Sequence, residues 1–160
     1  MTSSQSPGRP TAGARGSGRG TRRLSRLLAV QGIYQHLLAG EQAAVIQTYL
    51  EESEEHASCD AAYFQDCLHG VLSARDALTA ALLPALDRPL VQVSPVEQAI
   101  LLLGCHQLQQ HPEVPYRVVI NEAVELSKSL GGNEGHRYVN GVLDRLISSL
   151  RPHESRDAAG

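Results

Sequence analysis

Val114-Pro115-Tyr116-Arg117-Val118-Val119-Ile120-Asn121-Glu122-Ala123-Val124-Glu125-Leu126-Ser127-Lys128 is the stretch on which the fold reading turns. Pro115 stands where a helix can begin. Val119, Ile120, Ala123, Val124 and Ser127 then recur at three- and four-residue steps, which lines them along one helical face. Gly131-Gly132 ends the run. Glu122 and Glu125 are neighbours on such a helix, and paired carboxylates can do acid–base work when their pKa values split. Lys128, three residues beyond Glu125, makes a solvated ion-pair ladder the simpler reading.

The same period extends outward in both directions. Downstream, Tyr138, Val139, Val142, Leu143, Leu146, Ile147 and Leu150 form the face of a last helix, and Pro152 marks a tail. Upstream, Ser94-Pro95-Val96-Glu97 is a helix start: Ser94 caps, Pro95 fits the first turn and Glu97 closes a capping box. That helix carries Ile100, Leu101, Leu103 and Leu108 and ends before Pro112. Pro84 and Pro89 interrupt the pattern and set a hinge between two helical halves. Before the hinge, Asp60 is a candidate N-cap for a helix bearing Phe64, Cys67, Leu68, Val71, Leu72, Leu78 and Leu82. Glu41–Glu55 carries Val45, Ile46, Tyr49 and Leu50 on one side. The first helix is expected from Thr21, as its cap, to about Leu38, with Gly40 as its stop. Runs of alternating β-branched residues are absent, so the fold class is all-α with six or seven helices.

A chain of 160 residues is expected to form one domain. Residues 1–21 hold no large aliphatic after Met1 and cannot bury enough apolar area to offset their ordering entropy. The expected organisation is a disordered basic arm over 1–21, a helical domain over 22–150 and a flexible tail over 151–160. With five Tyr, one Phe and no Trp, the core must be built from aliphatic side chains. The first twenty residues lack the apolar core of a signal peptide, and no apolar run approaches the 18 residues of a membrane span. Cys59, Cys67 and Cys105 are odd in number and lack C-x-x-C spacing, which fits free thiols in a reducing cytoplasm.

Catalytic and metal signatures are absent: there is no H-E-x-x-H, G-x-S-x-G or G-x-x-x-x-G-K. Cys67 and His69 are two apart and Cys105 and His106 adjacent, so neither pair shares a helical face on which to hold a metal. The chain is therefore expected to be no enzyme and to need no cofactor. Charge carries more information. Arg9, Arg15, Arg19, Arg22, Arg23 and Arg26 lie within the first forty residues, whereas all 17 acidic residues lie beyond them. This asymmetry can steer a polyanion, or it can be a solvated tail. Tyr34, three helical turns and about 20° beyond Arg23, extends the arginines into a stripe that could hold a phosphate backbone and stack a base. The alternative puts Tyr34 in the core and leaves the arginines in water. A second basic–aromatic pair, Arg137-Tyr138, opens the last helix, where free N–H groups also suit a phosphate.

These segments resemble a known family. Arg22-Arg23-Leu24-Ser25-Arg26 followed by Ala29-Val30-Gln31-Gly32-Ile33-Tyr34-Gln35 resembles the opening of NusB, N-utilisation-substance protein B. Val114–Lys128 is similar to that family's V-P-Y-K-V-V-I-N-E-A-V-E-L-A-K. His136-Arg137-Tyr138-Val139-Asn140-Gly141-Val142-Leu143-Asp144 is similar to its H-K-F-V-N-G-V-L-D. The resemblance covers about residues 21–150. It implies two small helical bundles packed across each other. It also implies a transcription antitermination factor that binds boxA-type single-stranded RNA in ribosomal-RNA leaders. Its implied partners are the small-subunit ribosomal protein NusE and an antitermination complex with RNA polymerase. Carried onto this sequence, the RNA-facing positions are Arg22, Arg23, Arg26, Tyr34, Arg137 and Tyr138. The partner-facing ones lie on the helix from Ser94: Glu97, His106 and Gln107. Departures cluster on that helix, where Leu102, His106 and Gln107 replace the family's Arg, Tyr and Glu. Leu27 replaces an acid after the arginines. Two rivals remain. One is an RNA-independent helical adaptor. The other is the helical module of a ribosomal-RNA cytosine methyltransferase, for whose catalytic domain the chain has no room.

Overall fold

The computed structural model describes residues 19–131 and 134–154. Residues 1–18 of the expected arm and 155–160 of the expected tail lie outside the described residues. Helices α1 (Arg19–Ala39), α2 (Ala43–Leu50), α3 (Glu54–Ser58), α4 (Ala61–Ser73) and α5 (Arg75–Leu82) come before the hinge. Two 3-10 turns, Leu83–Ala85 and Leu90–Gln92, carry the chain past Pro84 and Pro89. Helices α6 (Pro95–Gln110), α7 (Tyr116–Leu130), α8 (Gly135–Arg145) and α9 (Ile147–Leu150) follow. The described residues contain no strand, as expected of an all-α chain.

Three expected helices are broken, which raises the number above six or seven. Ser53 divides Glu41–Glu55, its hydroxyl accepting from the His56 N–H at 3.2 Å and so starting α3. Ala74 leaves helical geometry between α4 and α5. Leu146 separates α8 from α9. The caps read from sequence are present. Asp60 accepts from the Tyr63 N–H at 3.1 Å, Ser94 from the Glu97 N–H at 3.4 Å, and Gly40 stops α1 with φ of +73°. Thr21 is not the first cap. α1 begins at Arg19, so Thr21 sits in the first turn, its carbonyl accepting from the Ser25 hydroxyl and the Asp60 N–H.

Helix α6 is the centre of the molecule. It touches α1, α4 and α5 on one side of the hinge and α7, α8 and α9 on the other. Every residue from Gln98 to Leu108 is buried. Leu101, Leu102 and Leu103 are buried in succession, which a one-sided helix would not allow. Full burial of each such leucine contributes roughly 1.5–3 kcal/mol. The core runs unbroken from Leu28 and Ile33 of α1, through Phe64 and Leu68 of α4, to Val139 and Leu143 of α8.

Arg151, expected in the flexible tail, is buried instead. Its guanidinium donates to the carbonyls of Leu108 (2.8 Å), His111 (3.0 Å) and Gln107 (3.3 Å), closing the C-terminal end of α6. It also pairs with Glu154, which accepts from the Tyr116 N–H at the start of α7. No helix among the described residues is long and apolar enough to cross a membrane.

Candidate nucleic-acid interface

Helix α1 delivers its arginines to two different environments. Arg23 lies on the outside, its side chain 55% exposed, and makes a two-pronged contact with Glu122 of α7. Nε donates to Oε1 at 3.0 Å and Nη2 to Oε2 at 2.8 Å. This fork-on-carboxylate geometry fixes the guanidinium plane while leaving one side to solvent. Arg22 is half-exposed. Its guanidinium sits 4.2 Å from the centre of the Tyr63 ring and 3.7 Å from the Asp60 carboxylate. Both cations are thus held in place at the surface, one by an acid and one by an aromatic face with an acid beside it.

Arg26 does not join them there. Three residues past Arg23 it has turned into the interior and is only 4% exposed. Its Nε donates to Gln107 Oε1 at 2.8 Å and its Nη2 to the Tyr63 hydroxyl at 3.4 Å, while Nη1 lies 3.8 Å from Glu122. Tyr63 in turn donates to Gln107 Oε1 at 2.6 Å. Four helices, α1, α4, α6 and α7, meet in this polar knot. Burial raises the Tyr63 hydroxyl pKa against the pull of Arg26, so the phenol stays a neutral donor. A cation with this surrounding cannot present its guanidinium to RNA, and the expected three-arginine surface contracts to Arg22 and Arg23.

Glu122 changes role for the same reason. Glu125 and Lys128 do form the exposed ladder, 3.7 Å apart. Glu122, however, is buried and takes Arg23 and Arg26 instead. The partner-facing candidates on α6 are corrected as well. Gln107 is 2% exposed within the knot, and His106 is 4% exposed with Nε2 at 3.3 Å from Asp66. Both belong to the interior because α6 is covered all round. Of the three, Glu97 alone keeps some exposure. It accepts from the Ser94 hydroxyl at 2.9 Å, and its other oxygen abuts Gly135 so closely that no Cβ would fit there.

Tyr34 is 36% exposed and so does not belong to the core. At the start of α8, Arg137 is exposed and pairs with Glu134 at 3.0 Å. Tyr138 is half-buried, with its hydroxyl donating to Asp87 at 3.1 Å. Arg88, from the hinge, lies 5.0 Å over the Tyr138 ring and donates twice to Asp87. Those bonds from Arg88, with Tyr138 helping, hold the Asp87 carboxyl down to about 2. Tyr63 and Arg88 give little sign of themselves in the sequence. Tyr63 stands next to Phe64 but is not among the residues that the spacing picks out, and Arg88 sits between prolines in a segment without period.

The NusB family model matches residues 23–148. Similar proteins include the transcription antitermination protein NusB of Nitrosospira multiformis, 53% identical over 129 residues, covering 81% of this chain and 82% of that one. The Nitrosomonas eutropha protein of the same name is 48% identical over 153 residues, covering 96% and 91%. Among solved structures, T. maritima NusB aligns with a TM-score of 0.71 at 26% identity, covering 85% of this chain and 96% of that one. A crystal structure of the antitermination factors NusB and NusE in complex with double-stranded RNA aligns with a TM-score of 0.71 at 20% identity, covering 79% and 96%.

Proposed function

The chain belongs to the NusB family of transcription antitermination proteins, and on that premise we propose that it binds boxA-type RNA together with a NusE-type ribosomal protein, supporting ribosomal-RNA transcription within an antitermination complex on RNA polymerase. The observation that carries the RNA reading is the state of Arg22 and Arg23. Both reach solvent yet are already positioned, by Tyr63 and Glu122 respectively. Ordered cations lose less side-chain entropy when a phosphate arrives. Tyr34, exposed farther along α1, is offered for stacking an unpaired base. Arg137 and Tyr138 at the start of α8 supply a second basic–aromatic pair, with Arg88 stacked on the tyrosine.

Arg26 serves this surface from beneath. It fixes Tyr63 and shares Glu122 with Arg23, and so acts as a positioning residue. On the protein side, Glu97 is the remaining partner-facing candidate on α6. The test is a titration of labelled boxA-like RNA, as single strand and as duplex, against scrambled controls, with and without the NusE-type partner. Selective binding of the single strand that tightens with the partner supports the proposal. Equal weak binding to every RNA, indifferent to the partner, would leave a helical adaptor with an incidental basic edge.

A further inference from the structure

We propose that Asp66, His106 and His111 form a binding site for a divalent transition-metal ion, with zinc the best match. Neither Cys67–His69 nor Cys105–His106 shares a helical face, but the fold gathers ligands across elements. Asp66 comes from α4, His106 from the last turns of α6, and His111 from the residue that closes α6. One ligand atom from each lies within 4.8 Å of the others. His106 Nε2 is 3.3 Å from Asp66 Oδ2. Two donors about 2.0–2.2 Å from a tetrahedral zinc stand roughly that far apart. His111 Nε2 reaches the same Asp66 oxygen at 2.5 Å, and an ion would widen that gap by a rotation of the half-exposed aspartate.

The surroundings of His111 are compatible with this site. Nδ1 of His111 faces Glu113 Oε2 at 2.9 Å while Nε2 faces Asp66. Two protons on the ring satisfy both carboxylates, and so does one proton on Nδ1 with a metal ion at Nε2. In the metal-bound form Nδ1–H is donated to Glu113 and the cation stands between Nε2 and Asp66. Carboxylate–histidine–metal is the arrangement in which an outer acid sets the tautomer and orients the ring. The Arg151 contact to the His111 carbonyl fixes the same residue from its backbone.

The seat of His106 depends on a glycine. Its ring lies flush against Gly70, where any Cβ would collide with His106 Cε1. His106 also stands where the family resemblance expects a tyrosine. Two nitrogens and one carboxylate suit zinc or cobalt better than magnesium or calcium. The open side at Asp66, whose side chain is 50% exposed, leaves room for water as a fourth ligand.

The test uses the full, tag-free chain, which binds or fails to bind metal independently of RNA. Zinc chloride is titrated by calorimetry, and cobalt chloride is followed by its visible d–d absorption, which reports four-coordinate geometry. One ion per chain is expected. Asp66→Asn and His111→Gln, both at the accessible rim of the site, are each expected to weaken it at least tenfold, while His136→Gln leaves it unchanged. Glu113→Gln should cost about 10-fold or more through the His111 tautomer. Absence of stoichiometric binding would overturn the proposal. So would binding that survives both Asp66→Asn and His111→Gln, because the ion would then sit elsewhere.

Discussion

The start of α1 and the start of α8 carry the same surface signature, arginine beside tyrosine, but they are anchored in different ways. At α1 the pattern is the outer layer of a buried knot joining four helices, in which Arg26, Gln107, Tyr63 and Glu122 satisfy one another. At α8 the polar contacts are solvent-facing: Arg137 pairs with Glu134 three residues back, and Tyr138 reaches across to the hinge, where it shares the exposed Asp87 with Arg88. On the proposed reading, a substitution around α1 can therefore act through folding or through RNA binding, whereas Arg137→Ala at α8 should act through binding with the fold intact.

Arg26→Ala should have the largest effect. It removes the buried cation that donates to Gln107 and shares Glu122 with Arg23, and should cost about 2–3 kcal/mol, read as a lower urea midpoint. Replacing Arg26 and Glu122 together by apolar residues of similar volume should recover much of that loss; no recovery would mean that the knot is more than a matched charge pair. Tyr63→Phe comes next. It removes the donor to Gln107 and should cost about 1–2 kcal/mol. It should also loosen Arg22 only slightly, since the aromatic face remains. Arg137→Ala should change stability by less than about 0.5 kcal/mol, because an exposed pair contributes little. A larger loss there would erase the contrast between the two regions. The smallest effect is electrostatic. Asp87 is held down to about 2, so its pairing contributes above the ordinary carboxylate range and is lost only as pH falls through about 2. An NMR titration should find Asp87 the late-protonating carboxylate of the α8 region, and Tyr138→Phe should raise its midpoint.

Much of the fold was legible because helix ends are written locally. Asp60, Ser94 and Gly40 each act within a few residues of the ends they mark. The breaks at Ala74 and Leu146 carry no glycine or proline and no side-chain cap, so nothing local in the sequence announces them. The site was legible only on its surface. Arg26 and Glu122 are 96 positions apart in the sequence and Arg26 and Gln107 are 81 apart, and no spacing rule links such residues. Each reads alone as a solvated polar residue. Only α6, buried on all sides and carrying Gln107 inward, shows that a buried polar partner must exist for Arg26. For the same reason His106 and Gln107 read as an outer face in a sequence that does not reveal that α6 has none.

On the proposed reading, Arg22, Arg23 and Arg137 meet phosphates at the surface, whereas Arg26 holds the fold. The decisive measurement is RNA affinity across several salt concentrations for the variant carrying Arg22→Ala, Arg23→Ala and Arg137→Ala. The expected result is a weaker complex, formed by a protein that remains folded. Its log–log salt slope should be shallower by about 2, at roughly 0.7 for each phosphate no longer neutralised. An unchanged slope with unchanged affinity would contradict this division of roles and place the RNA elsewhere.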